Sequence, residues 1–289
     1  MIPYTMNFDD FLHKTDMDTL GIFSKMSKII EKSDDWKLNE DGYLILKSFK
    51  ENEIKNDEYN FSYKINKHGY RTNNFKEFNK DKIKILFSGC SHTFGEGLPE
   101  EMIWTSLVDK YIGNDTDSYN LGIGGASIHL IIKNIYAFIR NYGKPDYMFL
   151  MFPAISRSIR YDQDSGLYKN ILAHSHKKYK KFLKKFVYED NVLLATTLIF
   201  MLEDYCLASG IKLYWSTWSD EDLPVYNQLN FNNYLYFNSD SVNMDIDNDI
   251  IKNTNKLPYW KLARDNHHMG SGWQTCVANA FMNKIEKDV

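Results

Sequence analysis

Three short stretches of this 289-residue chain carry side chains whose type and spacing could do chemistry. The first is "KIKILFSGCSHTFGEG", residues 82–97, in which an alternating aliphatic run ends on Gly89 and presents Cys90, Ser91 and His92. A strand that stops at such a turn can point the Ser91 hydroxyl into a cleft, and the Ser91 N–H can stabilise a developing oxyanion. The second is "NLGIGGAS", residues 120–127, whose glycines let backbone approach a ligand closely just before a helix starting near Ala126 or Ser127. The third is "RDNHHMGSGW", residues 264–273, with Asp265 and His268 three apart. That spacing lets a carboxylate orient an imidazole whose other nitrogen faces a serine. Each has a plainer reading: Ser91 and Asp265 can cap helices, and a histidine there can simply lie on the surface.

The elements that must position these residues follow from periodicity. From Lys82 onward the pattern alternates strand and helix, with strands predicted at 83–88, 117–121, 146–152 and 211–216 and helices at about 101–112, 127–142, 190–208 and 272–286. Strands alternating with helices of this length imply crossover connections and a parallel sheet covered on both faces. One α/β domain is expected to span 81–289, with insertions at about 157–188 and 219–264. Residues 1–80 are expected to form an N-terminal extension packed on it. In that extension Phe61, Tyr63 and Ile65 alternate before His68-Gly69, which predicts a hairpin or edge strand and then a turn.

Composition narrows the function classes. A 43% hydrophobic content fills a sizeable core, and a net charge of −3 argues against a broad basic face for nucleic acid. Cys90, Cys206 and Cys276 lie far apart, so neither a disulfide framework nor a zinc site is indicated, and buried reduced thiols are expected. The acidic N-terminus does not read as a signal peptide, so a non-secreted location is expected. The bias toward Lys, Asn, Ile, Asp and Tyr is that of an AT-rich coding genome, bacterial or viral, which leaves a virion component open. The apolar run "NVLLATTLIFMLEDYCLASG" is interrupted by Glu203 and Asp204 and reads as a buried helix rather than a membrane span. In "HSHKKYKKFLKKF", Tyr179, Phe182, Leu183 and Phe186 fall on one helical face opposite the lysines, while His174 and His176 look solvated. Asp245, Asp247 and Asp249 suggest a calcium loop, but Ile250 and Lys256 stand where such a loop needs Gly and Glu. "GIGGAS" lacks the dinucleotide-binding glycine spacing, and "GEG" is not followed by the Lys of a phosphate loop.

In order and content the three stretches resemble the blocks of the SGNH hydrolases, also called GDSL esterases and lipases. Gly89-Cys90-Ser91-His92 looks like the Gly-Asp-Ser-Leu block, with Thr93 and Gly95 continuing it; Asn120 to Gly125 is similar to the second block, and Asp265-Asn266-His267-His268 to the last. The resemblance covers residues 82–286. It implies a three-layer α/β/α, flavodoxin-like fold and a serine esterase, with Ser91 as nucleophile, His268 as general base, Asp265 as its orienter, and the N–H groups of Ser91 and Gly125 as oxyanion donors. His267 has the wrong spacing for the base, His92 is expected to pack or line the cleft, and Gly122 and Gly124 to form the turn. Two positions depart from the pattern. Cys90 replaces an Asp that is not part of the triad. After "PDYMFLMF" the chain continues "PAISRSIR", placing Ile155 or Ser156 where the family has an oxyanion-binding asparagine. Ser156 or Arg157 is left to substitute, and Arg157 could also select an anionic substrate. No cofactor or metal is implied, and short-chain acyl esters, acetyl-carbohydrates among them, are the expected substrates. An O-acyltransferase on the same triad, or a non-catalytic binding or structural protein that kept the fold, are the alternatives.

Overall fold

The structure, a computed structural model, describes residues 36–38, 44–47, 61–66, 68–162, 167–171, 188–229, 231–235, 263 and 268–288. The elements in chain order are β1 (Trp36–Leu38), β2 (Leu44–Lys47), β3 (Ser62–Ile65), β4 (Ile83–Gly89), α1 (Ser91–Phe94), a 3-10 turn (Glu100–Met102), α2 (Trp104–Ile112), β5 (Thr116–Asn120), α3 (Ile128–Tyr142), β6 (Tyr147–Phe152), β7 (Ser158–Asp162), β8 (Leu167–Ile171), α4 (Tyr188–Ser209), β9 (Lys212–Thr217), a second 3-10 turn (Asp220–Asp222), α5 (Leu223–Gln228) and α6 (Ser271–Asp288). The four strands and four long helices expected from periodicity are all present, within three residues at each end.

The central sheet runs β5-β4-β6-β9, and every pair in it is parallel. A further parallel bridge joins Tyr234, outside the named strands, to Trp215 of β9, with Leu235 N–H donating to the Trp215 carbonyl at 2.8 Å. Counted along the chain, the order is 2-1-3-4 plus this short fifth segment, the flavodoxin-like arrangement. Side-chain alternation fills two layers. Leu86, Met148, Leu150, Phe152, Leu213 and Trp215 face α3 and α4. Ile85, Phe87, Phe149, Met151 and Tyr214 face α2 and α6 through Trp104, Val108, Val277 and Phe281. The result is the three-layer α/β/α architecture, with crossover helices on both faces as a parallel sheet requires.

Ahead of this sheet, β1, β2 and β3 form an antiparallel meander. Tyr63 and Ile65 are buried and Lys64 is exposed, as the alternation predicted, and the two buried residues cluster with Phe94 of α1. Gly69 at φ 86° closes the expected turn. Phe75 packs on Tyr119 and Phe138, so this approach to β4 shares the main core.

The apolar run in α4 is not a buried helix. Ala195, Ile199, Leu202 and Cys206 face the core, while Leu193, Leu194, Met201 and Leu207 are exposed. Apolar residues lie all round the helix, a pattern that ordinarily signals full burial, yet only one side has a sheet to cover it. By length and composition α4 could cross a membrane, with mean hydropathy 1.6. Its Glu203, however, accepts hydrogen bonds from Trp215 Nε1 at 2.8 Å and Asn233 N–H at 3.0 Å, so this carboxylate bonds the helix to the fifth strand position. Burial, reinforced by the Glu203 charge, pushes the Cys206 thiol up to about 12. β7 and β8 pair as an antiparallel hairpin where sequence indicated only an insertion. The basic amphipathic stretch with His174 and His176, and the acidic loop around Asp245, lie outside the described residues.

Candidate active site

Strand order reverses between β4 and β6, because β4 connects outward to β5 while β6 continues toward β9 on the other side. A crevice at the carboxyl ends of strands is expected at that switch point. Ser91 follows β4 and the 153–157 loop follows β6, so both flank it.

Ser91 opens α1, a single turn formed by Thr93 and Phe94 N–H donating to the Cys90 carbonyl at 3.0 and 2.9 Å. Its Oγ makes a long contact, 4.0 Å, with Cys90 Sγ. Cys90 is fully buried and its sulfur also accepts from Trp218 Nε1 at 3.1 Å. The thiol standing where the resembled family has Asp thus anchors an aromatic ring beside the serine turn. All three cysteines are free; Cys90 and Cys206 are buried, and Cys276 only half so.

The glycine loop after β5 is locked to this turn. Asn120 donates through Nδ2 to the Thr93 carbonyl at 2.8 Å and accepts the Gly122 N–H at 2.8 Å. A Cβ on Gly122 would collide with the Phe94 nitrogen and lie 2.7 Å from the Thr93 carbonyl carbon, so only glycine fits this close approach. Gly125 has φ 75°, and Ser127 then caps α3 by accepting the Leu130 N–H at 3.3 Å. Among the described residues, the N–H groups of Ser91 and Gly125 make no hydrogen bond.

The loop after β6 is different. Asp222 accepts the Ile155 N–H at 2.8 Å and Asn191 Nδ2 donates to the Ile155 carbonyl at 3.1 Å, while the Ile155 side chain is buried. Ile155 is therefore not available as an oxyanion donor. Ser156 is half-buried on the same turn. Arg157 reaches across the crevice: its guanidinium lies 5.0 Å over the Trp218 ring, and Nη1 is 3.4 Å from the Ala126 carbonyl, next to Gly125. Arg157 is thus held as a cation over an aromatic face.

His268 sits just before α6, with its carbonyl bonded to the Ala263 N–H at 2.8 Å. Gln274, one turn into α6, accepts the Trp104 N–H at 2.9 Å and donates to the His92 carbonyl at 3.2 Å, which fastens that helix to the serine turn. The His92 ring lines the crevice, with centroids 5.5 Å from His268, 5.2 Å from Trp218 and 5.0 Å from Trp273. His268 Nε2 lies 3.5 Å from Glu96 Oε2. Asp265 and His267 are outside the described residues.

The structure therefore gathers the Ser91 turn, the Gly125 loop, Arg157 and His268 at one end of the sheet. Sequence reasoning missed Glu96, Trp218 and Gln274, and only the aromatic and glycine-flanked character of their surroundings hints at them. Among the described residues no cluster of His, Cys, Asp or Glu is placed to hold a metal ion.

No family model and no curated protein matches the chain in sequence. Its likeness is to solved structures of lipolytic G-D-S-L proteins and of esterases. A member of the lipolytic G-D-S-L family from Veillonella parvula is 15% identical at a TM-score of 0.40, over 71% of this chain and 98% of that one. An esterase from a Pseudoalteromonas species is 16% identical at 0.40, over 71% and 98%. An acetyl xylan esterase from Geobacillus stearothermophilus is 16% identical at 0.38, over 73% and 97%. The roles of individual residues rest on the geometry of this chain.

Proposed function

We propose that the protein is a serine hydrolase acting on acyl esters. The observation that carries this reading is the convergence, at the sheet's switch point, of a serine on a tight strand-to-helix turn, two unengaged backbone N–H groups and a histidine. Ser91 Oγ attacks the ester carbonyl carbon, its proton passes to His268, and the N–H groups of Ser91 and Gly125 receive the oxyanion. The protonated imidazole then returns the proton to the leaving alcohol, and water repeats the sequence on the acyl-enzyme. A carboxylate must orient His268, and the spacing in sequence names Asp265 for that part. Arg157, poised beside Ala126, supplies the third donor that the missing asparagine would give. A short acyl group, acetyl on a carbohydrate included, is the substrate this reading favours.

The reading is tested by incubating the protein with a chromogenic acetyl ester and, separately, with a serine-reactive phosphonate followed by peptide mass analysis. Hydrolysis that Ser91→Ala abolishes, together with phosphonylation at Ser91, is the expected result. A folded protein with neither property is not a serine esterase.

A further inference from the structure

Glu96 has no part in the chemistry that the sequence motifs assign, yet it is held against the serine turn, His268 and the glycine loop. Its N–H donates to the Ser91 carbonyl at 3.1 Å, so it belongs to the serine's own turn. On one side Arg71 Nη1 donates to the Gly95 carbonyl at 2.8 Å; on the other, the Gly97 N–H donates to the Tyr63 hydroxyl at 2.6 Å. Arg71 is buried and stacks 4.6 Å over Tyr63. The backbone of the turn is thus fixed by the segment ahead of β4. From there the carboxylate reaches His268 Nε2 at 3.5 Å, and it lies 3.4 Å from where a Cβ on Gly124 would stand. One side chain touches the histidine and the glycine loop from the nucleophile's own turn.

We propose that Glu96 is the positioning residue for His268, taking the part that the Asp-x-x-His spacing gives to Asp265. This inference rests on the reading of His268 as general base. At 3.5 Å the contact is a charge pair rather than a hydrogen bond, and with the Nε2 proton turned toward the Glu96 carboxylate the imidazole lone pair is on Nδ1. As Ser91 Oγ bonds to the carbonyl carbon, its proton goes to Nδ1, and the resulting imidazolium keeps its Nε2–H facing Glu96. The same Nδ1 proton then passes to the leaving alkoxide, so the carboxylate neither gains nor loses a proton. Its charge stabilises the imidazolium in a partly enclosed place, where an opposite charge at this distance counts for more than on an open surface.

Among the described residues, the His92 ring faces His268 from the serine turn, and the 3-10 turn that packs against α6 carries Glu100 and Glu101. Arg157 stands beyond Trp218, and Asp265 and His267 adjoin His268 in sequence.

The test is 15N NMR of the His268 ring, assigned by loss of its signals in His268→Ala, in the parent, Glu96→Gln, Glu96→Asp and Asp265→Asn. It needs no turnover, so it separates this pairing from the esterase reading. The neutral ring of the parent is expected to carry its proton on Nε2, facing Glu96. Glu96→Gln keeps the shape and removes the charge, so it is expected to shift that tautomer toward Nδ1–H, with Glu96→Asp recovering part of the effect. If the esterase reading holds, Glu96→Gln lowers kcat while KM stays. A tautomer unchanged in Glu96→Gln, or one moved by Asp265→Asn alone, overturns the proposal.

Discussion

Asp222 accepts the backbone N–H of Ile155 at 2.8 Å across 67 positions of sequence. Its other oxygen accepts the Tyr188 hydroxyl at 2.8 Å, and Asn191 completes the clamp on the Ile155 carbonyl. Burial, then Asp222 itself, drives the Tyr188 pKa far above its usual value, so the phenol remains a donor. The loop that carries Ser156 and Arg157 thereby owes its place to α4 and the turn before α5 rather than to its own sequence.

Asp222→Ala is therefore expected to destabilise the protein by about 1–3 kcal/mol, since it strands a buried N–H. Tyr188→Phe removes only one of the bonds and should cost about 1 kcal/mol. Urea denaturation of the two variants beside the parent measures both. Equal midpoints for Asp222→Ala and the parent would show that the clamp contributes nothing.

Gly122 and Gly125 lie three residues apart and should respond differently to alanine. At Gly122 the new methyl meets backbone of Thr93 and Phe94, which cannot move without displacing the serine turn; about 3 kcal/mol of destabilisation and loss of activity are expected. At Gly125 there is open space, and the cost is that of a left-handed conformation, about 1 kcal/mol. Thermal denaturation and ester turnover, measured on both variants, should rank Gly122→Ala as the worse on each count. The opposite ranking would remove Gly122 as the point of contact between the two loops.

The parts of the fold that were legible in sequence are those with a local period. β4 and β6 are rich in apolar residues, β9 carries Leu213, Tyr214 and Trp215 in a row, and α3 is a strongly amphipathic helix, so each announces itself within its own residues. The hairpin β7–β8 escaped because "SIRYD" and "LYKNI" mix polar and apolar residues over only five positions each. The full width of α4 was misjudged for the converse reason: its sequence is apolar on every side, and nothing local tells which side meets the sheet. Ser91, Gly125 and Arg157 could be placed because they follow strand ends. Glu96 and His268 meet across 172 positions, and Trp218 reaches Cys90 across 128, contacts made by tertiary folding that leave no spacing signal.

Asp109 carries a pH dependence that is separate from the crevice. It lies on α2, accepts the Ser118 hydroxyl at 2.9 Å, and burial raises its pKa above the ordinary 3.8, with the hydroxyls of Thr116 and Ser118 opposing and Asp117 adding to the rise. The folded state consequently binds more protons than the unfolded chain between 3.8 and the raised value. Stability from this group is fully present below 3.8 and is lost as pH rises through that window. Asp109→Asn should raise the denaturation midpoint at pH 7, and the advantage should shrink to nothing as pH falls below 3.8. A variant no more stable than the parent at pH 7 would mean that the hydroxyls outweigh burial.

Arg157 decides whether the crevice has a third donor. Its guanidinium is held over Trp218, which is itself held by Cys90, and Nη1 already points at the Ala126 carbonyl, one residue from the Gly125 N–H. A charge fixed at this place strengthens interaction with an oxyanion more than with a neutral carbonyl, so its loss should appear in kcat rather than in KM. Arg157→Ala is expected to lower kcat on a neutral acetyl ester by about a hundredfold, the cost of removing one oxyanion donor. Arg157→Lys should recover little of it, because an ammonium lacks the planar fork that rests on the indole while donating past it. Ser156→Ala, run in parallel, should stay within a few fold of the parent. If Arg157→Ala instead raises KM for anionic esters and leaves kcat on neutral ones intact, the guanidinium selects substrate charge and the oxyanion is held by the Ser91 and Gly125 N–H groups alone.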